Sequence, residues 1–142
     1  MITGFFIARL LPQPLLQVAV VVDDFDRPAA LMPFIVDTGA ARTIIHGKDA
    51  VRYFAIPESE LDSSTWTNAK PMLGLGGPVR CKEASAHFAF RHDSGDVEII
   101  SEKVLIGASE SEVMPSLLGW DLLKYFRLDI HGGNQTIVLH RV

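Results

Sequence analysis

The chain reads as an all-β fold. Three observations predict it: apolar, β-branched-rich runs recur at short intervals, Ala84, Ala86, Phe88 and Phe90 alternate at period two, and helix periodicity is confined to brief stretches. Leu15 to Val22 is the first such run, Asp23 to Pro28 is turn-like, and Leu31 to Val36 is the second, so these two read as an antiparallel pair. The apolar stretch from Phe5 to Val22 as a whole reads as strands. Arg9, Pro12, Pro14 and Gln17 interrupt it and two aspartates follow, which suits neither a membrane span nor a signal peptide. Thr43 to Ile45 reads as a short strand, Lys48 to Phe54 as a short helix, and Pro57 to Asn68 as a polar loop of variable shape. Val79 to Arg91 is a half-buried strand, His92 to Asp96 turns it back, and Val97 to Ile106 is its partner. Leu118 to Phe126 reads as the one convincing helix, and a hairpin of Leu128 to Ile130 with Thr136 to Leu139 closes the chain.

Size and charge narrow the function. The 142 residues, 48% of them hydrophobic, suit one domain over 1–142. A chain of this length buries about 68% of its unfolded surface and needs no metal or disulfide staple. The net charge is −4 and the basic residues are scattered, so there is no electrostatic footprint for nucleic acid. A single cysteine, Cys81, excludes an internal disulfide, and no Cys/His spacing suggests a metal site, so the expected setting is a reducing cytoplasm with no cofactor. The five histidines fall singly on turns and strand ends, where surface or capping roles are expected. Arg80 and Lys82 flank Cys81 and could activate its thiol, but a cysteine enzyme needs a positioned histidine and none is nominated. Ser59, Ser63, Ser64 and Ser101 lack a nucleophile-elbow context.

The informative stretch is Phe34-Ile35-Val36-Asp37-Thr38-Gly39-Ala40, an apolar run that delivers one carboxylate into an Asp-Thr-Gly turn. The strand fixes the Asp, the Thr hydroxyl can lock the turn, and Gly lets a substrate backbone approach. An isolated Asp-Thr-Gly is ordinary turn chemistry, so downstream segments decide its meaning. Leu73-Gly74-Leu75-Gly76-Gly77 has three glycines between strand-like flanks, which suits the mobile tip of a hairpin. Pro115 to Leu123 then gives a short apolar strand, Gly119, and the start of a helix.

In that order the three segments resemble the retropepsin family of aspartic peptidases, with its bacterial and eukaryotic single-lobe relatives, over about Leu15 to Leu139. The resemblance implies an acid-protease fold, a closed, barrel-like sheet with one short C-terminal helix. Aspartic peptidase chemistry needs two carboxylates sharing a proton around a water. This chain has one motif, and Asp121, Asp129, Asp23 and Asp24 lack the Thr-Gly sequel. The resemblance therefore implies a homodimer, in which Asp37 meets its symmetry mate at a two-fold axis and Thr38 bonds across the dimer. It further implies that Gly39 and Ala40 border the substrate and that Leu75, Gly76 and Gly77 close over it. Leu117, with Pro115 beside it, would line the pockets flanking the scissile bond. The substrate would be an extended, partly apolar peptide bound as an added strand.

Ala40 bears on pH. A hydroxyl residue there would stabilise the ionised pair, whereas alanine donates nothing, so the expected optimum is about pH 5 to 6.5 rather than pH 3 or lower. Two departures weigh against activity. Viral retropepsins often brace the dimer with an ion pair at the positions of Ala41 and Trp120, so either Trp120 packs an apolar substitute or the dimer is weaker. Arg42 then has another candidate partner in Asp121. The chain ends, Phe5 to Ile7 and Thr136 to Leu139, either interleave between subunits as in the family or pair within one. A catalytically inactive peptide-binding or dimerisation module is accordingly the alternative function.

Overall fold

The computed structural model describes residues 1–7, 13–62, 64, 66, 70–74, 77–109 and 115–142, with backbone alone for 70–74 and 77–79. The strands are β1 Ile2–Ile7, β2 Gln13–Val22, β3 Ala30–Val36, β4 Ile44–Ile45, β5 Lys70–Gly74, β6 Gly77–Arg91, β7 Val97–Gly107, β8 Leu117–Leu118, β9 Phe126–His131 and β10 Thr136–Arg141. Two α-helices, α1 Gly47–Phe54 and α2 Trp120–Leu123, fall between them.

Alternation builds the core. Leu16, Val18 and Val20 of β2 stand opposite Phe34, Met32 and Ala30 of β3 and all are buried. The period-two residues of β6, Ala84, Ala86, Phe88 and Phe90, are buried as expected, and β6 pairs along its length with β7. Because β2 pairs with β6 as well as β3, with Val20 opposite Phe88 and Val22 opposite Ala86, the sheet closes on itself. The closed circuit runs β2, β3, β8, β4, β7, β6 and back to β2. Closure puts one face of every strand in the circuit toward a common interior, where Phe34 meets Phe88 edge-on at 6.0 Å between ring centroids.

The C-terminal helix differs from expectation. The predicted helix over 118–126 is a single turn, Trp120–Leu123. Leu118 belongs to β8, parallel to Val36 of β3, and Phe126 already pairs with Arg141. Leu118, Leu122, Leu123 and Phe126 are all buried, and a strand, turn and strand bury them as well as a helix would. The longer helix is α1, capped by the His46 ring, whose Nδ1 accepts from Lys48 N at 3.3 Å. Among the described residues the two α-helices thus fall where helices were expected, the C-terminal one cut to a single turn. The 57–68 loop is also less free than expected. Its turn at Glu58–Leu61 buries Leu61, whose carbonyl accepts from Ser109 N at 2.9 Å.

The chain ends pair within one subunit. Ile2, Thr3 and Gly4 lie opposite Leu139, Val138 and Ile137, while Phe5 to Ile7 turn to β2 instead. β9 and β10 form the expected hairpin, and among the described residues β9 ends the sheet on this side.

Candidate active site

Asp37 leaves the end of β3 where two loops cross. Its N–H donates to the Leu118 carbonyl at 3.1 Å, continuing the parallel pairing of β3 with β8, so the strand carries the carboxylate to a fixed height. The turn then closes on itself: Ala40 N donates to Asp37 O at 3.2 Å, and Gly39 N donates to Asp37 Oδ1 at 2.8 Å. Asp37 is half-buried, while Thr38 and Gly39 are exposed. A Cβ on Gly39 would come within 3.2 Å of Asp37 Oδ1, so glycine here leaves the carboxylate room.

The start of α2 grips the other side of this turn. Trp120 N donates to Ala40 O at 2.9 Å, Asp121 N to Ala41 O at 3.2 Å, and the Trp120 indole N–H to Thr38 O at 2.7 Å. Trp120 therefore holds the turn through a hydrogen bond, with its ring 43% exposed. Gly119 permits the crossing, since a Cβ there would lie 2.5 Å from the Arg42 carbonyl carbon and 2.8 Å from Ala40 O.

Beneath the turn sits a latch that sequence reasoning missed. Asp121 accepts from Thr43 N at 2.9 Å and from Thr43 Oγ1 at 2.6 Å, while Thr43 Oγ1 accepts from Gly119 N at 3.0 Å. Asp121 also accepts from Leu122 N at 2.9 Å, as a carboxylate at a helix start can. The available signal was an Asp directly after Gly-Trp at the predicted helix start. Arg42 does approach Asp121, at 3.7 Å, but lies closer to Glu83 at 3.1 Å and donates to Lys103 O at 3.0 Å. A second tie was not foreseen either. Buried Ser116 donates to Asp49 Oδ2 at 2.7 Å and accepts from His46 N at 3.0 Å, joining β8 to α1.

The remaining expected site residues divide. Leu117 is half-buried and packs with Ile44, Leu105 and Cys81 in an apolar cluster apart from the main core. Pro115 is exposed two residues earlier. Gly77 opens β6 opposite Gly74 of β5, an antiparallel hairpin. Leu75 and Gly76 lie outside the described residues. Cys81 is not the activated thiol its neighbours suggested. It faces inward on β6 while Arg80 is exposed and Lys82 half-exposed, and burial pushes the thiol up to about 11. His87 lies between Ser101 Oγ at 2.7 Å and Asp23 Oδ1 at 2.9 Å, but on the exposed outer face of β6 and β7, consistent with a surface role.

No family model and no curated protein sequence matches the chain. Among solved structures, a retropepsin-like aspartic protease from Rickettsia conorii is similar to it with a TM-score of 0.54 and 18% identity, over 97% of this chain and 88% of that one. The EIAV protease complexed with the inhibitor HBY-793 follows at a TM-score of 0.49 and 15% identity, over 83% of this chain and 91% of that chain. The retroviral protease-like domain of Ddi1 from Leishmania major has a TM-score of 0.41 and 16% identity, over 90% of each chain. With its closed circuit of strands and an Asp-Thr-Gly turn gripped by the strand, glycine and helix start of β8 and α2, this chain has the retropepsin-like aspartic protease fold.

Proposed function

We propose that the chain is an aspartic endopeptidase that acts as a homodimer on extended, partly apolar peptide segments. The observation that carries this reading is the Asp37 turn: one carboxylate on a strand end, fixed by Gly39 N at 2.8 Å and by β8, with Thr38 and Gly39 exposed beside it. The chemistry needs a second carboxylate. Asp121, an acidic group beside the turn, is engaged with Thr43 and Leu122, and the second carboxylate is assigned to Asp37 of another copy.

In the proposed reaction one carboxylate, ionised, takes a proton from a water held between the two. The other, protonated, donates a hydrogen bond to the scissile carbonyl as the water oxygen adds to its carbon. The proton gained by the base passes to the leaving nitrogen as the C–N bond breaks, and no covalent enzyme intermediate forms. Thr38 would bond across the two turns. Ala40, Gly39 and the Leu117 cluster would border the peptide, with Pro115 at its rim, and the β5–β6 hairpin with Leu75, Gly76 and Gly77 would close over it. No cofactor enters these steps. We assign the chain to a reducing compartment, the cytoplasm, on its single buried cysteine.

The test is digestion of a denatured-proteome peptide library at about pH 5.5 by the wild type and by Asp37→Asn. Cleavage by the wild type alone, blocked by pepstatin, is the expected result. Cleavage by neither, from a folded dimer, would assign the chain to the peptide-binding module instead.

A further inference from the structure

We propose that Ser101, His87 and Asp23 form a second hydrolytic centre, which takes carboxylic esters with an aliphatic acyl group through an acyl-serine. It lies away from Asp37. Val21 of β2 faces His87 and Val20 faces Ala30, the first residue of β3, whereas Asp37 follows the last.

Hydrogen-bond chemistry fixes the roles. The Asp23 carboxylate only accepts, so the His87 nitrogen facing it at 2.9 Å, Nε2, carries the ring proton of the neutral imidazole. Nδ1 then holds a lone pair, and the Ser101 hydroxyl 2.7 Å away donates to it. A serine donating to a histidine whose tautomer a carboxylate sets is an arrangement of nucleophile, base and orienting group defined by geometry rather than by sequence position. Sequence does not reveal it, because His87 lies 14 positions from Ser101 and 64 from Asp23.

The ladder explains why these side chains meet. His92 N donates to Asp96 O at 2.8 Å, and alternation along the β6–β7 register from this bonded pair makes His87 and Ser101 a non-bonded pair, whose side chains stand closest. The same alternation turns the Ser101 N–H away from β6. The Lys103 carbonyl, one such pair further on, shows the sense by accepting from Arg42 at 3.0 Å. Since β4 pairs with β7 only at Leu105 and Ile106, no strand among the described residues covers the Ser101 N–H. This N–H is the donor assigned to the ester carbonyl oxygen as negative charge develops on it.

The neighbouring row of the sheet selects the substrate. On the same outer face it runs Leu31, Ala19, Ala89, Ile99, one step from His87 and Ser101. Leu31 is 64% exposed and Ile99 67%, while the two alanines between them are half-buried, so the row forms a shallow trough with large walls. Apolar side chains grouped in this way mark a binding surface. An acyl chain lying on the alanines would bring its carbonyl carbon to Ser101.

In the assigned reaction the Ser101 proton passes to His87 Nδ1 as Oγ bonds to the carbonyl carbon, and the carbonyl electron pair moves onto its oxygen. When that pair returns, the C–O bond to the alcohol breaks and the alcohol takes the proton from Nδ1. Water repeats the sequence on the acyl-serine and releases the carboxylic acid.

The test measures p-nitrophenyl butyrate hydrolysis and fluorophosphonate labelling by the wild type, Ser101→Ala, His87→Gln and Asp23→Asn, with the labelled residue located by peptide mass mapping. Ser101 and Asp23 are exposed and His87 is 40% exposed, so the variants are expected to fold, as circular dichroism would verify. The wild type should be labelled at Ser101 with or without pepstatin, and should lose that reactivity when unfolded in urea. Ser101→Ala and His87→Gln are expected to lower hydrolysis about 100-fold or more, and Asp23→Asn about tenfold or more. A wild type that takes no label at Ser101, or any of the three variants hydrolysing the ester at the wild-type rate, would overturn this centre and leave Asp37-dependent cleavage standing.

Discussion

Asp121 is the residue on which the candidate site's geometry most depends, because it satisfies both the backbone and the hydroxyl of Thr43, the latter at 2.6 Å. Its side chain is only 10% exposed, so deleting it strands buried donors that water reaches poorly. Asp121→Ala is expected to cost about 2 to 3 kcal/mol in urea denaturation, and to lower cleavage by loosening the turn above it. Trp120→Phe removes the indole donor to Thr38 O together with part of a half-exposed ring and should cost about 1 kcal/mol. Cys81 makes a different prediction. With the thiol raised from 9.0 to about 11 by burial, its thiolate population near pH 8 falls about 100-fold. Iodoacetamide should accordingly modify the native protein at least about 100-fold more slowly than the urea-unfolded chain. At this scale the turn at Asp37, Thr38 and Gly39 was legible because a tight turn is local in sequence. The Thr43–Asp121 latch spans 78 positions and was not. Arg80 and Lys82 do not activate Cys81, because neighbours in a strand point to opposite faces.

Gly119 illustrates what the elements demand of one another. The helix start of α2 passes so close to the 40–42 backbone that a Cβ at Gly119 would meet three backbone atoms between 2.5 and 2.8 Å, none of them at the end of a flexible side chain. Gly119→Ala is therefore expected to destabilise the fold by about 2 to 3 kcal/mol, read as a fall in the urea midpoint, whereas Gly132→Ala, with open space around it, should be near neutral. A second contact ties β7 to the residues just after α2. Burial pushes Glu102 up, but the Tyr125 hydroxyl at 2.9 Å and the Lys124 ammonium at 3.2 Å, helped by Arg42, outweigh it and hold the carboxyl below its usual value. A carboxyl depressed in the folded state contributes stability above its unfolded pKa and loses it as pH falls through the folded value. Glu102→Gln should thus cost under about 1 kcal/mol at pH 7, and the difference from wild type should vanish in acid below both values. Strand elements were read well because β2, β3, β6 and β7 alternate or run apolar. The helix over 118–126 was overextended because Leu118, Leu122, Leu123 and Phe126 have helix-like spacing, and the pairing of Leu118 with Val36 is not visible in sequence.

At the scale of the whole molecule, closure of the sheet depends on β2 reaching β6, with Ala19 opposite Ala89. No local pattern announces so distant a pairing, and the closed circuit was expected only through the resemblance. The proposed dimer is in the same position: it follows from one Asp-Thr-Gly in a chain of 142 residues, whereas the pairing of the terminal strands within the subunit emerges only in the fold. In the proposed mechanism cleavage requires Asp37 from two copies. The measurement that addresses it most directly is the cleavage rate of a fixed, dimer-saturating amount of wild type, as folded Asp37→Asn protein is added and allowed to exchange subunits. Random pairing with a ninefold excess of the variant leaves about a tenth of wild-type subunits in fully wild-type dimers, so the rate should fall about tenfold. A rate that does not change, with subunit exchange verified by labelled protein, would show that one Asp37 suffices and would contradict the shared-carboxylate mechanism.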